Sequence, residues 1–416
     1  MKIVWASPWN HRSAIASFGS EVVHELARRG HEVEVIRTED AQQLALPPLP
    51  APGLVAAVRD RDLTTLMRDS DGIVVNMGDH YGFHAGAIPL LHAAPLLVLH
   101  DTTLGGFMHG WRNAAGPDAW RIDRMIDFRD LEASICALAS GVIVHSGHYR
   151  TVAEAACAGP VTTIPLAWAP VDQLPLQHNT AGRLVVTTFG LINANKRTDA
   201  VIRAIGASTR LRDSVLYLLV GHVENAERDR LCALADRVGA GTPHFTGWVP
   251  DEVLRMILGG TNVVSCLRYP ALEGSSASLI HAMLSGRPVL VSDHASYAEV
   301  PDDVVLKCLP GDEAAAVLHH LETILDDPAT AWLMGHRARA YAQARHAPSA
   351  YVDRLLPALD AATRAQPAVR TAIAIGRRLA ELGVVKGDPG AERVSVALAG
   401  LFGKVGNNII ESFPNE

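Results

Sequence analysis

Two short segments of this 416-residue chain hold residue types that can grip an anion and a sugar. In residues 187–197, TTFGLINANKR, Gly190 permits a tight turn with close backbone approach. Asn195, Lys196 and Arg197 follow it and bring two positive charges near a strand end. In residues 268–293, RYPALEGSSASLIHAMLSGRPVLVSD, Ser275 or Ser276 can cap a short helix running to about residue 284. The free N–H groups and partial positive charge at such a helix start can hold a phosphate. Glu273 stands just before it, where a carboxylate can accept hydrogen bonds from sugar hydroxyls, and His281 lies eight positions on. A leaving diphosphate gains negative charge as a glycosidic bond breaks, so fixed cations beside it lower the barrier. Each segment alone also has a plain structural explanation. A lysine before a helix is ordinarily solvated, and Glu273 could simply cap the helix.

The elements that must position these residues alternate. Apolar runs at 2–6, 31–36, 72–76, 95–100, 141–145 and 161–165 read as strands, with an amphipathic helix expected over 18–29 and a polar loop over 7–17. A polar, proline-containing stretch at 171–182 reads as a linker. The alternation restarts with strands at 184–189, 214–220, 244–249, 262–267 and 288–292 and helices at 198–207 and 224–237. This pattern predicts two Rossmann-like, doubly wound parallel-sheet lobes, 1–175 and 183–345, with a helical C-terminal extension over 346–416. Helix is expected from 313 to about 365, then in AVRTAIAIGRRLAEL and ERVSVALAGLF. The apolar faces of these last two must be covered, by the lobes or by a homodimer contact. Ligands of open parallel sheets bind beyond the carboxyl ends of the strands, which singles out His100 and Asp101 after the strand at 95–100. Asp101 serves equally well as a cap for the next segment.

Composition narrows the class. Hydrophobic residues make up 48% and charged residues 19%, enough for two sizeable cores. A net charge of −7 argues against a nucleic-acid partner held by a basic face. The five cysteines, Cys136, Cys157, Cys232, Cys266 and Cys308, form no C-x-x-C pair and read as free thiols of a reducing, cytoplasmic compartment. No apolar run reaches the length of a membrane-spanning segment, and the N-terminus lacks a secretory signal. Heavy use of Ala and Arg hints at a GC-rich genome.

The two segments together resemble the retaining glycosyltransferases of the GT-B fold, and more narrowly the bacterial family 4-like (group 1) enzymes. Their C-terminal lobe carries a G-R-x-x-x-x-K loop and an E-x7-E motif before A-x-x-x-G-x-P-V. The N-terminal lobe is similar too, in SPWNHRSAIASFGSEVVHELARRGHEVEVI, NMGDHYGFHAGAIPLL and VLHDTTL. The resemblance covers roughly residues 1–357. It implies a nucleotide-sugar donor, UDP- or GDP-sugar, bound between the lobes, and a small-molecule or glycan acceptor. It implies retention of anomeric configuration, no metal and no other cofactor. It assigns Lys196 to the diphosphate, Glu273 to the donor hydroxyls and His100 to the transferred sugar. Gly190, Asn195, Arg197, Ser275, Ser276 and His281 fall on the donor side, with Trp248 at the base pocket. Ser13, Ala14, His84 and Asp101 fall on the acceptor or sugar side, and segments 10–16 and 105–119 are the acceptor-recognition loops. Two positions depart from the pattern. Leu191 replaces the loop arginine, which Arg197 or Arg268 would have to replace, and His281 replaces the second glutamate. A neutral imidazole offers one donor and one acceptor, so it cannot copy a bidentate carboxylate on a ribose. A sugar-nucleotide epimerase of the same fold, or a non-catalytic nucleotide-sugar-binding subunit, are the competing readings.

Overall fold

The computed structural model describes residues 1–115, 130–169, 182–384 and 388–402. The chain divides into two compact units. The first comprises Met1–Ala167, Leu272–Ser275 and Pro348–Glu416, and the second Trp168–Ala271 and Ser276–Ala347. The expected linker at 171–182 lies outside the described residues except for Gly182.

The first unit holds a seven-stranded parallel sheet: β1 (Lys2–Ser7), β2 (Glu32–Arg37), β3 (Val55–Ala57), β4 (Gly72–Met77), β5 (Leu96–Leu99), β6 (Gly141–Val144) and β7 (Val161–Thr163). The order across it is β3-β2-β1-β4-β5-β6-β7. The second unit holds a six-stranded parallel sheet: β8 (Leu184–Phe189), β9 (Val215–Val220), β10 (His244–Gly247), β11 (Val263–Cys266), β12 (Val289–Ser292) and β13 (Leu306–Cys308). Its order is β10-β9-β8-β11-β12-β13. Strands such as GIVVNM, LVVTTF and VVSC are buried on both faces, as expected where helices cover both sides of a parallel sheet. In both sheets the winding reverses once, between β1 and β4 and between β8 and β11. Loops leaving those strands part in opposite directions and open a crevice at the carboxyl ends. Most candidate residues follow these strands and β5, beside β4, while Trp248 follows β10 and His281 lies in helix Ala277–Leu284.

The structure corrects several sequence expectations. The first helix, Ala14–Arg28, starts four residues earlier than expected, because Ser13 accepts the Ala16 N–H and Ala16 is buried in the first turn. Part of the supposed loop at 105–119 is a helix, Gly105–Ala115, while 116–119 lie outside the described residues. Strands β3 and β13, each three residues long, went unread because so short a strand shows no period. The helical run from 313 is three helices, Glu313–Asp326, Pro328–Arg345 and Pro348–Glu381. The second and third begin on a proline, whose missing N–H is not needed in a first turn. The third passes through Pro357 and Pro367 and overruns the break expected near 365.

This long helix packs within the first unit, on helix Ala14–Arg28 and on β4, β5 and β6, burying Tyr351, Leu355, Leu359, Ala362 and Val369. Among the described residues, no helix is long and apolar enough to cross a membrane. Leu359 fits against Gly72, where an added Cβ would lie 2.8 Å from its Cδ1. Leu359→Ala should therefore leave a cavity no neighbouring side chain fills and cost about 2–5 kcal/mol in urea unfolding. A loss under about 0.5 kcal/mol would mean the helix is not part of this core.

Candidate functional site

In the second unit the candidate residues converge on the ends of β8 and β11. Gly190 follows β8 with φ +93°, a conformation side chains resist. A Cβ there would sit 3.3 Å from the Lys196 ammonium and 3.7 Å from the Ser278 hydroxyl, in the first turn of helix Ala277–Leu284. Gly221, at the end of β9, lies so close that an added Cβ would meet the Gly190 carbonyl at 1.9 Å. Lys196 is buried and its Nζ donates to the Phe189 carbonyl at 2.6 Å. Ser276 caps helix Ala277–Leu284, its hydroxyl accepting the Leu279 N–H at 3.3 Å. Ser275 precedes this cap and is half-buried. Ammonium, glycine turn and helix start thus meet in one place, with the charge and donors an anion requires.

The neighbouring donor-side residues divide. The Asn195 carbonyl accepts the Tyr269 N–H at 2.8 Å, and its Oδ1 faces the Arg268 guanidinium at 3.5 Å. Arg197 is committed elsewhere. Its Nε and Nη2 donate to the buried Glu313 carboxylate at 3.1 and 3.2 Å, and Asp199 lies 3.9 Å away. Of the two arginines weighed as replacements for the missing loop cation, Arg197 is thus a structural tie and Arg268 is the one beside Asn195. Leu191 is exposed. His281 is flanked by the rings of Trp168 and Phe189, with centroids 6.3 and 5.6 Å away, and burial pushes its pKa down, favouring neutral imidazole. Trp248 follows β10 and is 76% exposed, so its ring is open to a flat partner.

In the first unit the residues gather at the ends of β4, β5 and β6. The segment Leu272–Ser275 lies here as a strap. Thr102 donates its N–H and hydroxyl to the Leu272 carbonyl at 2.9 and 2.7 Å, and the Gly274 N–H donates to the His100 carbonyl at 2.8 Å. Asp101 and Glu273 form the antiparallel bridge between these contacts. Gly274 is required, because a Cβ would lie 2.1 Å from the Tyr149 hydroxyl. The strap sets Glu273 beside Asp101. Asp101 Oδ2 accepts the Asp79 N–H at 2.7 Å, and Asp79 Oδ1 accepts the Phe107 N–H, holding the start of helix Gly105–Ala115.

His100 does not hold the place expected of it. Its imidazole is buried and both ring nitrogens are engaged within the protein, Nε2 with Asn76 Oδ1 at 3.0 Å and Nδ1 with His145 Nε2 at 3.1 Å. No ring nitrogen is left to face a sugar, and what His100 presents is its main-chain carbonyl. His84 is also internal. Its Nδ1 donates to the Asn76 carbonyl at 3.1 Å, and burial pushes its pKa down to about 3. The Ser13 hydroxyl caps the first helix, while Ala14 is exposed at its first position. Sequence reasoning missed Asn76, Asp79, His145 and Tyr149. A signal existed for His145, which also ends an apolar run. Register supplies the rest: Leu99 pairs with Val144, so His100 and His145 leave adjacent strands side by side.

Residues 182–327 match the family described as Glycosyl transferases group 1. The O-antigen chain mannosyltransferase B of Escherichia coli is 28% identical over 184 residues, which is 42% of this chain and 46% of that protein's length. Among solved structures, HepE of Anabaena, crystallised with UDP and glucose, is 16% identical and covers 86% of this chain and 99% of its own, with a TM-score of 0.58. Sucrose-phosphate synthase from Thermosynechococcus elongatus is 20% identical over 86% of this chain and 98% of its own, at 0.60. WaaG, a glycosyltransferase of lipopolysaccharide biosynthesis, is 13% identical over 86% and 99%, at 0.59. The fold is GT-B, two Rossmann-like lobes with a long C-terminal helix.

The acidic cluster gives a pH test. Burial, then the Asp79 and Glu273 carboxylates, raise the Asp101 pKa to about 7. Between its ordinary value near 3.9 and about 7, the folded protein holds a proton the unfolded chain has lost, so stability declines as pH rises through that window. Asp101→Asn keeps an oxygen for the Asp79 N–H and removes the titration. It should flatten the decline and be more stable than wild type above about pH 7 by ~1–2 kcal/mol, a value discounted because Asp101 is only half-buried. Identical slopes for both proteins in urea unfolding between about pH 4 and 8 would contradict the assignment.

Proposed function

We propose that this protein is a glycosyltransferase that moves a sugar from a nucleotide-sugar donor to an acceptor hydroxyl, with retention of anomeric configuration and without a metal. One observation carries the reading: the Lys196 ammonium, the Gly190 turn and the start of helix Ala277–Leu284 meet at the reversal between β8 and β11. A diphosphate suits that place, because it offsets a buried cation and accepts from the N–H groups. Arg268 supplies the second cation. Trp248 offers a face for the base, and UDP is the first donor nucleotide to try, since HepE was crystallised with it. The group 1 segment and the GT-B fold support sugar transfer over the other reactions of two-lobed folds.

In the proposed reaction the glycosidic bond to the diphosphate breaks and the acceptor hydroxyl attacks from the same face. The leaving phosphate oxygen takes the acceptor proton. Lys196 and the helix N–H groups hold the charge that develops, and Glu273 orients the donor hydroxyls. His281, kept neutral between two rings, gives the ribose one donor and one acceptor. The acceptor is a small molecule or glycan.

A thermal-shift screen against UDP-, GDP-, ADP- and dTDP-sugars tests the reading. A donor at 100 times its Kd should stabilise the fold by about 2.7 kcal/mol. Lys196→Ala should abolish the shift. Glu273→Gln should keep it and lower transfer at least about 100-fold, because the lost interaction matters most in the transition state. No shift with any nucleotide sugar, or an unchanged shift in Lys196→Ala, would overturn the donor site. Conversion of the donor to its epimer without acceptor would replace transfer with epimerisation.

A further inference from the structure

A buried ion pair stands at the carboxyl end of β2 in the first unit. Arg37 is the last residue of that strand and Glu39 lies two positions on. Both are buried, and Arg37 Nη2 donates to Glu39 Oε1 at 3.0 Å. The pair ties two loops together. On one side Arg37 donates to the main-chain carbonyls of Gln43, Leu44 and Leu46 at 3.2, 3.4 and 3.3 Å. On the other, Glu39 Oε1 accepts the Trp9 N–H at 2.9 Å and Asn10 Nδ2 at 3.0 Å, in the loop that follows β1. Taking two charges out of water costs about as much as their attraction returns, and apolar residues of similar volume often serve stability equally well. What apolar residues cannot do is orient a neighbouring amide.

An ionised carboxylate only accepts, so Asn10 must turn its NH2 group to Glu39 and its Oδ1 the other way. That Oδ1 accepts the Arg12 N–H at 3.0 Å, and the Asn10 carbonyl accepts the Ser13 N–H at 3.2 Å. Ser13 caps helix Ala14–Arg28, so the helix starts where Asn10 sets it. Ile15, in the first turn, reaches the end of β4. A Cβ added at Gly78 would lie 2.6 Å from Ile15 Cδ1 and 3.0 Å from Asp101 Oδ2. Residues 7–10 and 13 are buried, while His11 and Arg12 at the apex are exposed. We propose that Glu39, held by Arg37, is the positioning residue for the loop at 8–13, and through it for the helix start beside Asp101 on the acceptor side.

The fixing of this loop stands without the transferase reading, and only its acceptor-side role rests on that reading. The loop leaves β1 at the reversal between β1 and β4, where open parallel sheets take their ligands. A reacting hydroxyl must be held in a narrow range of positions, so the segment that holds it gains from a fixed support. Trp9 is anchored separately. Its Nε1 donates to the Leu49 carbonyl and its own carbonyl accepts the Leu49 N–H, both at 2.9 Å. The indole therefore reports on the seating of the loop base, and the Arg12 amide on the turn that Asn10 governs.

Two variants of the full chain separate positioning from stability. Arg37→Met combined with Glu39→Met replaces the pair by apolar side chains. Its Tm should stay within about 5 °C of wild type. Exchange protection of its Arg12 amide should fall at least about tenfold, while that of the Trp9 indole N–H holds. Glu39→Gln keeps an oxygen for Trp9 and Asn10 but removes the charge that Arg37 faces. It should lower Tm more than the double variant does, yet keep Arg12 protection within about threefold of wild type. Unchanged Arg12 protection in the double variant would overturn the proposal. So would a collapse of its Tm, which would make the pair a stability element, or an equal loss of protection in both variants. The thermal shift with UDP- and GDP-sugars is then read in the double variant. An acceptor-side loop leaves that shift as in wild type, and its loss would overturn the acceptor-side role. No shift in wild type would sink the transferase reading and leave the loop's fixing to the exchange result.

Discussion

A buried ammonium constrains the second unit. Taking Lys196 out of water is costly unless dipoles and an opposite charge replace its hydration. The fold supplies the dipoles, from the Phe189 carbonyl and a glycine turn that brings backbone close without a side chain in the way. The same pressure explains the crowding at Gly221, where a Cβ would meet the Gly190 carbonyl. It also explains why the helix beyond β11 must start where it does, with the Ser276 hydroxyl serving as its cap. A solvated lysine would have imposed none of this.

Charge is handled in the opposite way in the first unit. Here carboxyl groups crowd together, and their burial is relieved by backbone N–H donors and by protonation. Asp79 holds a helix start, Asp101 holds the Asp79 N–H, and the strap lays Glu273 alongside. The strap is held by hydrogen bonds to the Leu272 carbonyl and from the Gly274 N–H, and by packing on Tyr149.

The departures from the group 1 pattern acquire physical meaning once partners are known. Arg197, next to the lysine in sequence, turns away into a bond with buried Glu313, and its left-handed backbone conformation is part of that tie. Arg268 comes from a different strand end yet stands beside Asn195. Leu191 is left in solvent, where an arginine would have had no buried partner to lose. His281 is held between aromatic rings, an environment that suits a neutral imidazole and would penalise a carboxylate.

By itself the sequence determined the alternating elements, the two doubly wound sheets and the two segments that carry Lys196 and Glu273. These follow from local causes: apolar runs buried on both faces, helix starts at serines, and glycine where the chain must turn tightly. It also held the charges, but not their partners. Only the tertiary structure decided that Arg197 is committed to Glu313, that the imidazole of His100 is turned inward, and that the residues around Glu273 pack as part of the first unit. Partnership across 45 residues, as between His100 and His145, or across 116, as between Arg197 and Glu313, depends on strand register and helix packing, which no local spacing encodes.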